Sequence, residues 1–214
     1  QAGLRLTTTL GPVDLGLQYF YGFLPTPAVS PDPAAIAAAG NHAVVAYNRY
    51  HQAGLDAALI LLGVNLRFEA AADLTEDLAG DDPLVYNPSL AWSVGGDRDL
   101  FAGINLNLQA AGSYRLFDAK VGTAAYDIES GTDLTRTRIT ALLSQKLKRD
   151  TVEWKVAAVV GVEDRDYLVR PSLALSFGEG KLELSGGYFG GDADGELGQF
   201  AANSYARVAF SHQF

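Results

Sequence analysis

The sequence predicts an all-β fold, a transmembrane antiparallel up-and-down β-barrel. Three observations predict it. Apolar and polar residues alternate with period two along almost the whole chain, and successive residues of a strand face opposite sides. Tight turns alternate with long loops, the plan of an outer-membrane barrel and not of a soluble sandwich. The final stretch, 206–214, is an amphipathic strand that ends on Phe214.

The alternation marks eleven strands, taken here in order. Strand 2–10 puts Arg5 on its polar face. In 12–23, Val13, Leu15, Leu17, Tyr19, Tyr21 and Phe23 oppose Asp14, Gly16, Gln18 and Gly22. Strand 43–58 follows a long loop, and 63–75 sets Arg67, Glu69 and Asp73 on one face. Strand 84–95 carries Tyr86 and Trp92 on its apolar side. In 99–114, Ile104, Leu106, Leu108 and Ala110 oppose Asn105, Asn107 and Gln109. Strand 134–148 shows Arg136, Arg138, Lys146 and Lys148 on its polar face. In 151–163, Val152, Trp154, Val156, Ala158, Val160 and Val162 oppose Glu153, Lys155, Gly161 and Glu163. Strand 167–177 carries Arg170, 180–190 carries Lys181 and Glu183, and 200–214 carries Arg207, all on polar faces. Several strands exceed the ~5–6 residues usual in soluble proteins and match the ~9–11 that cross a bilayer at a tilt. No stretch of useful length has a helical period; the alanine-rich 34–39 can form one helical turn inside a loop.

Tight links fall at Gly11-Pro12, 60–63, 96–98, Arg149-Asp150 and 178–180. The links 24–42, 76–83, 115–133 and 191–199 are long, and 164–166 is the short exception. Aromatic residues on the apolar faces cluster towards strand ends: Tyr19, Tyr21, Phe23, Tyr86, Trp92, Trp154, Tyr188 and Phe210. That placement fits an interfacial girdle. The rival reading is the core of a β-sandwich, but nearly every opposite face carries Asn, Gln, Gly or charge.

Composition excludes several classes. With 214 residues the chain suits a single barrel domain, 1–214. It has no Cys, which removes disulfides, cysteine metal sites and thiol nucleophiles. A net charge of −9 argues against nucleic acid as a partner. A hydrophobic content of 48% excludes general disorder. No run of about 18 apolar residues marks a transmembrane helix. Neither a metal site nor any cofactor is predicted.

In barrels of this plan the short turns and the C-terminus are periplasmic. Counting back from Phe214 puts the long loops outside the cell and makes strand 2–10 start there. The chain also begins at Gln1 without a leader and contains no Met. Either a strand hides inside 115–133, or the chain is the C-terminal part of a larger barrel of 12 or more strands, completed by further strands or chains. The second is the expectation.

Sorting charge by face divides the −9. The polar faces carry Arg5, Arg67, Arg136, Arg138, Lys146, Lys148, Lys155, Arg170, Lys181 and Arg207 against Asp14, Glu69, Asp73, Glu153, Glu163 and Glu183. The predicted lumen wall is mildly basic and the loops are acidic. The residues expected to line the pore are Arg5, Arg67, Glu69, Asn105, Asn107, Gln109, Arg136, Arg138, Lys155, Arg170 and Arg207. Structural ion pairing, for instance Arg67 with Glu69, competes with an electrostatic ladder for anions. The acidic loops are either ordinary solvated loops or cation-binding neighbours of lipopolysaccharide; none has an EF-hand pattern.

The run Arg49-Tyr50-His51-Gln52-Ala53-Gly54-Leu55-Asp56, a short turn, and then Asn65-Leu66-Arg67-Phe68-Glu69-Ala70-Ala71 is distinctive. Together with Asn105-Leu106-Asn107-Leu108-Gln109 and Phe214 it resembles a family of proteobacterial and spirochaetal outer-membrane barrels similar to alginate-export-type porins. The resemblance covers 43–114 and the C-terminus. It implies a passive channel in the bacterial outer membrane and supplies no catalytic residue. The final strand resembles the signal read by barrel-assembly machinery, with Phe210 and Phe214 as its aromatic positions.

The function expected is therefore passive diffusion of polar, including anionic, solutes. Two alternatives stand beside it: a structural or adhesion barrel working through its loops, and a barrel hydrolase built on His42 or His51. The sequence has no G-x-S-x-G and no H-E-x-x-H, and His42, His51 and His212 are read as structural.

Overall fold

The computed structural model describes residues 1–117, 121 and 126–212. In chain order the strands are β1 (Ala2–Leu10), β2 (Val13–Phe23), β3 (Ala28–Val29), β4 (Val45–Ala46), β5 (Arg49–Leu61), β6 (Val64–Thr75), β7 (Ser89–Asp99), β8 (Ile104–Arg115), β9 (Thr135–Leu147), β10 (Val152–Gly161), β11 (Asp166–Phe177), β12 (Gly180–Gly191) and β13 (Tyr205–His212). The short β3 and β4 pair with each other. The other eleven form one antiparallel sheet whose order follows the chain, from β1 and β2 through β5 to β13. Each expected strand has its counterpart. Among the described residues no ladder joins β13 back to β1, so barrel closure is not seen and the sheet has two edges.

Three strand ends differ from expectation. The turn expected at 96–98 lies instead at Ala102 and Gly103, whose φ values of 57° and 72° suit a hairpin turn. Gly95 and Gly96 belong to β7; a Cβ at Gly96 would press on Leu66 and Val64 at 3.1 and 3.2 Å. These glycines mark close approach inside a sheet, not a bend. The strand expected over 43–58 runs from Arg49 to Leu61 and turns at Leu62 and Gly63, both at positive φ. The last strand starts at Tyr205, after a 3-10 segment over Gly198–Asn203. Tyr86 falls before β7, in a loop, where its hydroxyl donates to the Pro27 carbonyl at 3.1 Å. Phe214 lies outside the described residues.

Contacts group the chain into two units. The first comprises Gln1–Ala58, Phe68–Trp92 and Gly112–Thr135. Its β1·β2 ladder pairs Leu4 with Tyr19, Leu6 with Leu17 and Arg5 with Gln18, so each face keeps one character across the pair. Its loops are built rather than slack. Helix α1 (Pro33–Ala38) starts at Asp32, whose Oδ1 accepts from the Ala34 N–H at 2.9 Å, with proline at the first turn. Asp77 accepts from the N–H groups of Gly80 and Asp82 at 3.0 and 2.8 Å. The Leu116 N–H donates to the Pro88 carbonyl at 2.7 Å.

The second unit comprises Leu59–Arg67, Ser93–Ala111 and Arg136–Phe214. Its ladders set Val156 between Leu143 and Pro171, and Leu184 between Leu173 and Val208. The opposite face sets Lys155 between Ser144 and Ser172. Trp154 on the apolar face satisfies its indole N–H on Gln145 at 2.8 Å, and Gln145 in turn donates to the Ala102 carbonyl. Asp166, fully buried at the start of β11, accepts from the Leu197 and Gly198 N–H groups at 2.5 and 3.3 Å and anchors the 192–204 segment.

A sandwich would bury large apolar side chains between two sheets. Among the described residues the buried apolar side chains are few: Ala28, Tyr50, Val85, Pro88 and Ala174. Leu6 and Leu17 are 61% and 59% exposed, Val208 70% and Phe210 64%.

Candidate functional site

The polar face of the sheet gathers the residues expected to line a pore. Period-two alternation puts them there, and the ladders keep them there, because antiparallel partners share a face. Within the first unit, Arg5 donates to Asp56 at 2.8 Å, Thr9 to Asp14 at 2.7 Å and Gln52 to Asp73 at 2.9 Å. A hollow of about 280 Å³ opens beside Asp73, Thr75, Asn87, Ser113, Arg115 and Glu129. Arg115 and the buried Glu129 pair at 2.9 Å in its wall. The Asn87 backbone N–H donates to the same carboxylate at 2.8 Å.

Within the second unit, Arg67 bonds to Asp97 at 3.0 Å, and Asn65 donates to the other oxygen of Asp97 at 2.8 Å. Asn105 donates to Asp99 at 2.9 Å. Arg136 and Arg138 converge on Glu196, Arg136 at 3.5 Å and Arg138 in closer contact. Lys155 reaches Glu153 along its own strand at 3.1 Å. Arg170 and Arg207 have no ion pair among the described residues. The β11·β12 ladder skips Arg170 and Pro171, where proline has no N–H to give. Lys155, Arg170, Ser172, Glu183 and Ser185 surround a hollow of about 190 Å³ there.

Sequence reasoning brought these cations to one face, but the one pair it named is not the one that forms. Arg67 pairs with Asp97 of the adjacent β7, not with Glu69. Asp97 of the neighbouring strand also takes the Asn65 amide, so it gathers two donors of β6 at once. Lys155 has only serines opposite, so it bridges along the strand. Asp56, Asp97 and Asp99 were absent from the expected acids of this face. Asp56 was readable from parity with Gly54 and Gln52, and Asp99 from parity with Asn105 within the expected strand 99–114; Asp97 was hidden by the turn misplaced at 96–98. Counting them brings the face close to charge balance. Among the described residues, Lys146, Arg170, Lys181 and Arg207 of β9–β13 make no ion pair, although Glu153 stands opposite Lys146 and Glu183 shares the hollow beside Arg170.

The histidines fall elsewhere. His51 lies on the apolar face, its Nδ1 2.6 Å from the Tyr19 hydroxyl. His212 shares the apolar face with Phe210 and sits 3.9 Å from Glu179. His42 is in the loop between α1 and β4. Asn107, Gln109 and Glu69 keep to the polar face by alternation within β8 and β6.

Comparison of the chain with protein-family models and with curated proteins returns no match.

Proposed function

We propose that the chain forms the wall of a β-barrel channel in the bacterial outer membrane, passing polar, including anionic, solutes by diffusion. One observation carries the reading: a sheet with large aliphatic and aromatic side chains exposed along one face and ion pairs and amides along the other. Water penalises that apolar face at roughly 25 cal/mol per Å², whereas hydrocarbon does not. Bilayers also forbid open edges, so β1 and β13 find strand partners in the membrane, from each other or from further strands. The long-loop end faces outward, next to lipopolysaccharide, and β13 with Phe210 and Phe214 is what the assembly machinery reads. The resemblance to alginate-export-like porins belongs to this proposal.

The cations of β9–β13 that make no ion pair, Arg170 and Arg207 among them, give the channel its anion preference, since rings of basic side chains favour anion passage. Planar-bilayer conductance across a salt gradient tests this. The native protein is expected to show an anion-selective reversal potential, and Arg170→Glu with Arg207→Glu to move it towards cations. Arg136→Glu with Arg138→Glu is expected to do the same by freeing Glu196. Folded, inserted protein that never conducts would overturn the channel. The second reading, a closed barrel with function in its loops, is favoured by the bonded loops of the first unit around Asp77 and Asn87. Binding by those loops without conductance is the outcome that selects it.

A further inference from the structure

An arginine and a histidine break the alternation on the apolar face of the first unit. On β2, Tyr19, Tyr21 and Phe23 share that face at the end next to the 24–48 loop. On β5, the same face carries Arg49 and His51 before it returns to Ala53 and Leu55. Arg49 is exposed and has no carboxylate partner among the described residues. Its Nη1 donates to the Tyr21 hydroxyl at 2.9 Å, and its guanidinium lies 5.2 Å from the centre of the Phe23 ring. The His51 ring packs on Tyr21 with centroids 4.7 Å apart.

These contacts hold the Arg49 guanidinium and the His51 ring in place without supplying a carboxylate to either. Cation–π contact fixes the guanidinium but leaves most of its five donors unspent. When the Tyr19 hydroxyl donates to Nδ1 of His51, Nε2–H becomes an outward donor. Arginine's planar fork matches phosphate oxygens bidentately. Beside this pair the same face continues as bare hydrocarbon at Leu4, Leu6, Leu17 and Leu55, all exposed. A charged, aromatic-framed head position joined to an apolar strip is complementary to a phosphorylated amphiphile.

We infer that Arg49 and His51 bind the phosphate headgroup of a membrane lipid, with its acyl chains along Leu4, Leu6, Leu17 and Leu55. Tyr19, Tyr21 and Phe23 orient the two basic groups and mark the depth of the membrane interface. This rests on the membrane reading proposed above.

Native mass spectrometry of the full chain in neutral detergent micelles tests it, with diphosphoryl lipid A and its dephosphorylated form as probes. The native protein is expected to retain the phosphorylated lipid selectively. Arg49→Gln is expected to weaken retention by about tenfold, the loss of one charge-assisted bidentate contact. His51→Gln weakens it less, and Arg207→Gln on the polar face leaves it unchanged. Arg49→Lys keeps the charge, loses the fork and weakens retention by a smaller factor than Arg49→Gln; it decides the matter if Arg49→Gln does not fold. Equal retention in the Arg49 and His51 variants, or displacement of the lipid by millimolar inorganic phosphate, would overturn the inference. Liposome insertion is measured separately: selective retention without insertion removes the membrane channel and leaves this site standing.

Discussion

The two faces of one sheet obey different rules. On the apolar face of β9–β13, ladder partners are hydrocarbon against hydrocarbon, as at Leu184 with Leu173 and Val208, and they remain exposed. On the polar face of the same strands, partners are serines, carboxylates and cations tied into short contacts. The backbone is common to both, so the difference lies in the side chains that alternation delivers to each face. Folding here leaves most large apolar side chains exposed on one face, with few of them buried within the chain.

The sharpest way to break that symmetry of backbone is to place one charge on each side at mid-strand. Leu184→Arg is expected to destabilise the protein refolded in lipid by about 2–4 kcal/mol, the depth-dependent cost of a cation facing hydrocarbon. Thr140→Arg, on the polar face, is expected to cost far less. Urea titration in liposomes reads both, and equal losses would mean that the apolar face does not meet lipid. Next in size is Asp166→Ala. It strands the Leu197 and Gly198 N–H groups, and leaving such donors unsatisfied costs about 1–3 kcal/mol. Hydrogen exchange at Leu197 and Gly198 should rise first. The smallest effect belongs to Arg67→Ala. Its pair with Asp97 is solvent-exposed on the arginine side, and exposed pairs contribute about 0.2–1 kcal/mol. Its larger consequence is on the charge of the polar face, read as a shift in reversal potential.

The strands were legible because period two is a local signal repeated eleven times. The faces of Val156, Leu184 and Arg138 follow from parity alone. What parity cannot reveal is which residue stands opposite. Arg67 looked paired with Glu69 because both sit on one strand, and only the β6·β7 neighbourhood supplies Asp97. Gly96 misled for a related reason: glycine signals either a turn or a tight crossing, and the deciding contact comes from Leu66 and Val64 on another strand. The loop architecture was least legible. The Glu129 anchor joins Arg115 and Asn87, residues too far apart in sequence for any spacing rule to link. The Arg49–His51 cluster left a trace, as two polar residues on a face that should be apolar, and the sequence reading took His51 simply as structural.

The sheet order has a kinetic consequence. Every strand of the large sheet lies beside its nearest large-sheet neighbour in the chain; β2·β5, β6·β7, β8·β9 and β12·β13 close longer loops and the remaining ladders close only short ones. Loop-closure entropy grows slowly with length and is lowest for such steps, and topologies built from local pairings reach their transition state quickly. The wall can therefore grow like a zipper, hairpin by hairpin, with each finished strand serving as the template for the next.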